Sequence, residues 1–468
     1  VAVFATYWDE AFHTDVGRDS AWAAPHVLLY GSVGIVGLSV ALWGLRVLAG
    51  TRSLRACLGH PPLLAAGLGA LGALVAAPVD ALWHEAYGRD AVLWSPPHML
   101  VVLASTGLIL GVLAGLPSQA RALRGVVGVV LLANAVAVVF EYEADVPQFD
   151  EAFYLPVLAT GIAFSLGLAR LALGLRWAAT TAALAYTGIM ILIATILVVA
   201  EMPAPLVPLI VVPAIALDLT AGRLGRPLTA AVLTASLFAV YVPYLNWIKS
   251  DVFLDLDDVL VGLPFAFLGS LLALILTAPP HARSPRGGGL AGAATALLLL
   301  LPGAAFGHDP GQGEELTTAA VTARATGETG SLSVDLSGSG HCADVSSVRL
   351  TARRAGETLT APLRPRGSCA FSGSIGLPDR GRWFLYGELQ HRGDLLEVWL
   401  PVHAGERESV TDDARSVYRP PTVEDSSLKL AAGIAIYLVL AAIVVGIPPL
   451  YRRALRPAGA PEGAQRHG

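Results

Sequence analysis

The sequence predicts an all-α polytopic membrane protein of about eleven transmembrane helices with one inserted extracytoplasmic β-sandwich domain. Of its 468 residues, 54% are hydrophobic and only 14% are charged, and the mean hydropathy is +0.61. Soluble domains carry roughly a quarter of their residues as Asp, Glu, Lys or Arg, so a soluble enzyme is excluded. The sequence contains no basic tract of the kind that nucleic acid requires, which argues against a nucleic-acid partner.

Long apolar runs provide the second observation. A helix that crosses about 30 Å of hydrocarbon needs about 20 apolar residues. The runs predict spans at 27–49, 61–84, 97–115, 123–141, 152–172, 178–200, 204–218, 228–248, 258–278, 287–306 and 429–450. The seventh is short and rich in proline, so the sequence leaves open whether it crosses or forms a re-entrant loop.

The loops between these spans alternate in charge. Arginines follow the first span and every second span after it, as well as the last, whereas acidic residues fill the intervening loops. Because arginine favours cytoplasmic loops, we expect residues 1–26 and 307–427 on the extracytoplasmic side, provided that the seventh segment crosses. The predicted location is the inner membrane, where lipid surrounds the multi-pass helices.

The polar region 307–427 provides the third observation. Runs of period two at 331–336 and 395–400, separated by Gly, Pro and Ser, predict a small antiparallel sandwich. Cys342 and Cys369 both lie in it, and they are expected either to form a disulfide on an oxidising side or to stay unpaired. The apolar run before Gly307 resembles a signal peptide joined in frame, and the sequence does not show whether it is cleaved.

The chain therefore divides into five predicted regions. They are a metal-binding membrane region with an internal repeat (1–115), further transmembrane helices (116–306), the β domain (307–427), a C-terminal transmembrane helix (428–450) and a cytoplasmic tail (451–468).

The internal repeat contains polar residues that a purely structural role does not readily explain. The first copy has Asp9, His13 and a Pro-His pair ending at His26; the second has Asp80, His84 and a Pro-His pair ending at His98. Both copies contain Gly-Arg-Asp between the two histidines, at Arg18-Asp19 and at Arg89-Asp90. A full helix, 61–84, precedes the loop of the second copy, so we expect either a short first helix or an omitted one upstream of residue 1.

The spacing of each copy predicts a metal site. Asp and His four residues apart lie on one face of a helix, and the Pro-His that opens the next helix can add a second imidazole. Two imidazoles and a carboxylate suit copper, zinc or iron(II). The alternative is that these are polar residues at interfacial helix ends. Two neighbouring sites, or one dinuclear site with six ligands, both satisfy the pattern.

The two copies resemble motifs in the C subunit of the copper membrane monooxygenases, the particulate methane and ammonia monooxygenase family. Asp9, His13 and His26 resemble its Asp-x3-His-x12-His motif. Asp80, His84 and His98 are similar in spacing to its second set, with Asp80 in place of Asn. The resemblance covers about the first hundred residues. It implies copper in the membrane, O2-dependent hydroxylation of a small apolar substrate or ammonia, partner membrane subunits and a quinol reductant.

A further histidine opens the β domain. His308 follows the signal-like run, and exterior β domains of monooxygenase B subunits and of periplasmic copper carriers also begin with His. If cleavage freed its amine, His308 could chelate copper; uncleaved, it is an ordinary linker residue. His341, His391 and His403 could assist it, although exposed loop histidines would explain them equally well.

The predicted function is thus a copper-dependent membrane monooxygenase-like subunit. The alternative is a non-catalytic copper transporter or chaperone with a periplasmic β domain, and a homo-oligomer is compatible with either. Transport predicts ligands through the bilayer to the cytoplasmic face, whereas the sequence has them only at the outer face. Glu141 and Glu201, at outer helix ends, are expected to be solvated, with proton delivery as their alternative role.

Overall fold

The computed structural model describes residues 1–16, 23–87, 95–143, 149–248, 252–277, 314–338, 345–354, 357–420, 431, 433–435 and 438. The helices are α1 Ala2–Val16, α2 Ala24–Thr51, α3 Leu54–Leu58, α4 Pro61–Tyr87, α5 Pro96–Gly115, α6 Arg121–Val136, α7 Phe140–Glu143, α8 Tyr154–Leu173, α9 Ala178–Val199, α10 Val211–Thr220, α11 Arg226–Ile248 and α12 Leu256–Leu276. A 3-10 turn, Ala137–Val139, joins α6 to α7.

Eight helical stretches in the described part of the chain are long and apolar enough to cross a membrane. They correspond to the predicted spans one to six, eight and nine, with ends within a few residues of those expected. The tenth predicted span and most of the eleventh lie outside the described residues. The helical and β regions of the prediction are therefore confirmed, and the full number of spans stays a prediction.

Proline sets the start of both helices that carry a Pro-His pair. Pro25 lies in the first turn of α2, and Pro96 and Pro97 lie in the first turn of α5. A helix leaves its first N–H groups without intrahelical partners, so proline costs nothing there and fixes a helical φ. The following histidine is consequently held in the first turn of each helix.

The helices α4 and α5 pack at unusually close range. A Cβ at Gly69 of α4 would overlap the backbone of Leu108, and one at Gly111 of α5 would overlap the backbone of Ala66. This pairing of 69 with 108 and 66 with 111 makes the two helices antiparallel. Small residues at such a contact allow backbones to approach closely, as in membrane helix pairs.

The helix α2 lies at the edge of the bundle. Its contact with α4 is also antiparallel, because Gly37 faces Leu74 and Gly44 faces Leu63. Pro25 and Val40 are its buried residues, and many of its large apolar side chains are exposed. The start of α2, the end of α4 and the start of α5 therefore lie at one end of the bundle.

The seventh predicted span is helical only in its second half. Residues 203–210 form neither helix nor strand and lead into α10. Leu206 donates its backbone N–H to the carbonyl of Glu143 at the end of α7, while Asp218 in α10 pairs with Arg170 near the end of α8. The segment therefore leads from the end of the bundle that holds Glu143 to the end that holds Arg170.

The β region forms one curled sheet and not the two separate sheets of the predicted sandwich. Its strands are β1 Glu314–Thr326, β2 Thr329–Asp335, β3 Val345–Arg354, β4 Glu357–Ala361, β5 Arg364–Pro365, β6 Ala370–Gly376, β7 Gly381–His391, β8 Asp394–Ala404 and β9 Arg407–Arg419. The order is β4-β3-β7-β8-β9-β1-β2-β6-β5, with antiparallel neighbours throughout.

Long strands and bulges explain this difference. The strands β1, β7, β8 and β9 have 11 to 13 residues, and the β1–β9 register shifts twice. Bulges bend a strand and increase its twist, so the sheet curls around its own core, which includes Val334, Trp383 and Val398. The predicted runs at 331–336 and 395–400 are confirmed as parts of β2 and β8. Cys369 is disulfide-bonded; its predicted partner, Cys342, lies outside the described residues.

An ion pair fixes the β region to the helices. The guanidinium of Arg354 in β3 donates to both carboxylate oxygens of Glu151, at 3.1 and 2.8 Å, just before α8. The backbone N–H of Phe253 donates to the same carboxylate. Both charged side chains are largely buried, and a bidentate arginine–carboxylate contact fixes orientation as well as distance.

Candidate metal centre

The first repeat copy brings Asp9 and His26 together. Asp9 lies in α1 and His26 in the first turn of α2, and His26 Nε2 is 3.1 Å from Asp9 Oδ1. His26 also stacks on the ring of Tyr30, one turn further along α2, with ring centroids 5.7 Å apart. The side chains remain partly accessible, at 17% for His26 and 22% for Asp9.

The second copy repeats this geometry. His98 Nε2, in the first turn of α5, is 3.2 Å from Asp80 Oδ1 in α4, and the two side chains are 28% and 22% exposed. Trp83, Pro96, Pro97 and Met99, close to this pair in sequence, are buried. A Cβ on Gly433 would lie 3.6 Å from Trp83 and from Pro96, so the described part of the C-terminal segment packs beside this copy.

The third predicted ligand of each set lies in the same helix as the aspartate. His13 follows Asp9 by four residues in α1, and His84 follows Asp80 by four in α4. The side chains of His13 and His84 lie outside the described residues. Among the described side chains alone, no group of three or more His, Cys, Asp or Glu that could hold a metal ion is found. The structure thus shows two of three predicted ligands in each copy side by side.

The observed separations fit a shared ion. Two ligand atoms that each lie about 2.0–2.1 Å from a tetrahedral metal are about 3.3 Å apart. The 3.1 and 3.2 Å between imidazole nitrogen and carboxylate oxygen are close to this value, and they also suit a direct hydrogen bond. Nitrogen and oxygen donors of this kind suit copper, zinc and iron(II).

Both pairs lie at one end of the bundle. The start of α2, the end of α4 and the start of α5 meet there, as the antiparallel contacts of α2, α4 and α5 require. The end of α6 reaches the same end, because Asn134, near the end of α6, donates to the carbonyl of Val102, near the start of α5. The two copies of the internal repeat thus form two similar Asp–His pairs at the same end of the bundle.

The histidines of the β domain do not form a comparable group in the described structure. His308 and His341 lie outside the described residues. His403 pairs with Glu408, with 2.9 Å between Nδ1 and Oε2, within the β8–β9 hairpin. This carboxylate–imidazole pair has no motif around it, so it provides a natural comparison for the two pairs of the repeat.

A second polar cluster lies near the first pair and was not predicted. The hydroxyl of Tyr7 in α1 donates to Glu143 Oε2 at 2.6 Å and lies 3.3 Å from the hydroxyl of Tyr186 in α9. All three side chains are buried. The expectation of solvated acidic helix ends is confirmed for Glu201, which is exposed, and is wrong for Glu141, which is buried.

Comparison of the chain with models of known protein families, with curated proteins and with solved structures finds no match. The proposal below therefore depends on the geometry of the two pairs and on the motif resemblance.

Proposed function

We propose that the chain is a multi-pass inner-membrane protein that binds copper at Asp9/His13/His26 and Asp80/His84/His98 and acts as a copper membrane monooxygenase-like subunit. The observation that carries the proposal is the repetition of one geometry. Two segments about 70 residues apart both place a carboxylate oxygen 3.1–3.2 Å from an imidazole nitrogen. If these were polar residues at a membrane interface that bind no common ligand, we would not expect the spacing, the Pro-His helix start and the distance between the two atoms all to be repeated.

Copper at these sites would supply the redox chemistry needed to activate O2. The protein residues would hold the ion, keep two imidazoles and one carboxylate as ligands, and leave coordination positions open. The carboxylates of Asp9 and Asp80 would offset part of the charge of the ion. The apolar surfaces of α2 and α5 would let a small apolar substrate approach laterally from lipid.

The placement of the pairs favours an enzyme over a carrier. A transporter needs ligands along the whole path, whereas both described pairs lie at one end of the bundle. At the opposite end, Asp218 is occupied by Arg170 and by the backbone N–H and hydroxyl of Thr180. This buried ion pair stabilises α8, α9 and α10 against one another and leaves no vacant oxygen ligand on Asp218.

The decisive measurement is metal analysis of purified protein after loading with Cu(II) or Cu(I). We expect His13→Ala and His84→Ala each to lower the bound copper, because each removes one of three ligands. His403→Ala is the matched control, since it breaks a carboxylate–imidazole pair outside the repeat. Equal copper in the wild type and both repeat variants would refute the site. O2 consumption with small alkanes or ammonia then distinguishes a monooxygenase from a carrier, which would bind copper without consuming O2.

A further inference from the structure

The cluster around Glu143 joins segments that are far apart in the chain. Glu143 ends α7, Tyr7 belongs to α1, and Tyr186 belongs to α9. The backbone carbonyl of Glu143 accepts a hydrogen bond from the backbone N–H of Leu206 in the non-helical segment 203–210. The carboxyl group therefore lies where three helices meet non-helical backbone, at the end of the bundle that also holds the Asp9–His26 pair.

The carboxyl group of Glu143 is almost fully withdrawn from solvent and is only half satisfied. The residue is 1% exposed. Its Oε2 accepts from the Tyr7 hydroxyl, whereas its Oε1 is buried and has no hydrogen-bond partner among the described residues. A carboxylate with a vacant, buried oxygen is costly, while a neutral carboxylic acid is much less so.

No positive charge compensates Glu143 within the described structure. The titratable groups that face it are the hydroxyls of Tyr7, Tyr186, Tyr154 and Tyr241, contributed by α1, α9, α8 and α11. No ion pair joins Glu143 to a described arginine, lysine or histidine. Glu151, by contrast, lies only eight residues later and is matched by Arg354.

We propose that Glu143 is a proton-binding site, with the proton on the carboxyl group of a neutral acid. Burial without a cation is the condition under which a carboxyl group keeps its proton. The proton would occupy Oε1, the oxygen that lacks a partner, while Oε2 keeps the hydrogen bond from Tyr7. This site is separate from the predicted metal ligands and does not depend on the proposed metal chemistry.

The surroundings fit a proton better than a metal cation. Hard cations such as Ca²⁺ take six or more oxygen ligands. Here the Glu143 carbonyl is already engaged by Leu206, and the Tyr7 hydroxyl directs its hydrogen, not a vacant oxygen lone pair, at the carboxylate. One vacant carboxylate oxygen remains, which is what a single proton needs.

The proton also explains how α1 can dock on the bundle. Tyr7 and Ala11 are buried on one face of α1, and Asp9 lies between them in sequence and pairs with His26 of α2. A charged Glu143 would place an uncompensated carboxylate under this helix. Protonation removes that charge and lets α1 connect Glu143 on one side with the Asp9–His26 pair on the other.

Infrared spectroscopy of the purified, metal-free full chain tests the proposal. A protonated carboxyl group has a C=O stretching band distinct from that of a carboxylate. We expect this band at neutral pH in the wild type, its loss in Glu143→Gln, and its shift to higher frequency in Tyr7→Phe, which removes the hydrogen bond to Oε2. Glu201→Gln is the matched control, because Glu201 is an exposed glutamate at a helix end, and the band should be unchanged in it.

Three results would overturn the proposal. The first is a carboxylic-acid band whose intensity is unchanged in Glu143→Gln, and the second is the absence of such a band from folded wild type at neutral pH. The third is a band that disappears when sodium chloride replaces choline chloride, which would assign the carboxylate to a bound cation. If Glu143→Gln fails to fold, the Tyr7→Phe shift decides, and an unshifted band refutes the assignment. Because no metal is present, these outcomes are independent of whether the chain binds copper.

Discussion

The two copies of the repeat share a local geometry and differ in almost everything around it. The distance from aspartate oxygen to histidine nitrogen is 3.1 Å in one and 3.2 Å in the other. Ten of the 20 residues of α5 are buried, whereas Pro25 and Val40 are the buried residues of α2. The same carboxylate–imidazole geometry therefore occurs between an Asp-bearing helix and a helix that starts with Pro-His in two different surroundings.

The two copies are held by different means. Close packing of glycines holds α4 against α5, with Gly69 and Gly111 at the contact. At Gly31 and Gly34 of α2, an added Cβ would meet no described atom within 4 Å. The helix α1 is fixed by the buried side chains of Tyr7 and Ala11 and by the hydrogen bond from Tyr7 to Glu143. The second copy thus contains a tightly packed helix pair, whereas α2 of the first copy is peripheral.

The largest expected effect concerns how many ions the two copies hold. If each copy is a separate site, His26→Ala and His98→Ala should each halve the copper per chain, and the double variant should lose it. If the six ligands form one dinuclear site, each single variant should lose most of the copper. Metal content per chain, measured by mass spectrometry on equal amounts of protein, separates these cases. Unchanged copper in the double variant would refute both.

The next effect separates the packed helix from the peripheral one. Gly69→Ala should destabilise the protein by about 1–3 kcal/mol, the usual range for overpacking a tight contact. Gly34→Ala is the matched control in α2 and should leave the thermal midpoint in detergent nearly unchanged, because the site is open. Equal midpoints for the two variants would mean that the α4–α5 contact does not limit stability.

The smallest effect concerns the polar attachment of α1. Tyr7→Phe removes one buried hydrogen bond and should cost about 1 kcal/mol locally. We expect faster amide hydrogen exchange in α1, and unchanged exchange in α4 of the same sample as the internal control. A uniform increase in both helices would show that Tyr7 contributes to global stability and not to the docking of the first copy.

Features that depend on local periodicity could be predicted from the sequence. Apolar runs located the long helices, and the repeated Asp and Pro-His motif located the residues of the Asp9–His26 and Asp80–His98 pairs. The Tyr7–Glu143–Tyr186 cluster could not be predicted, because its hydrogen bonds join residues 136 and 179 positions apart. No spacing rule relates such residues. The sequence places Glu143 in an acidic loop, where solvation is expected, and only the structure shows that its side chain is buried.

Two further differences arise from backbone that follows neither regular period. The non-helical segment 203–210 contains Pro203, Pro205 and Pro208, and apolar composition alone cannot distinguish such a segment from a short helix. The alternation of apolar and polar residues shows that one face of each strand is buried, and from it we predicted two packed sheets. Alternation does not report whether strands continue from one layer to the next, and here bulges in β1 and β9 let one sheet curl on itself.

The ion pair of Asp218 has a consequence for the order in which the chain is assembled. Its partners, Arg170 and Thr180, precede it by 48 and 38 residues. During synthesis both are therefore already in place when the proline-rich segment emerges. The seventh segment has only one short helix and a buried acid, so it is poorly suited to enter a membrane independently. Arg170, however, is already in place to neutralise the charge of Asp218. Because α8 and α9 are synthesised first, we expect the seventh segment to pack against them as it emerges.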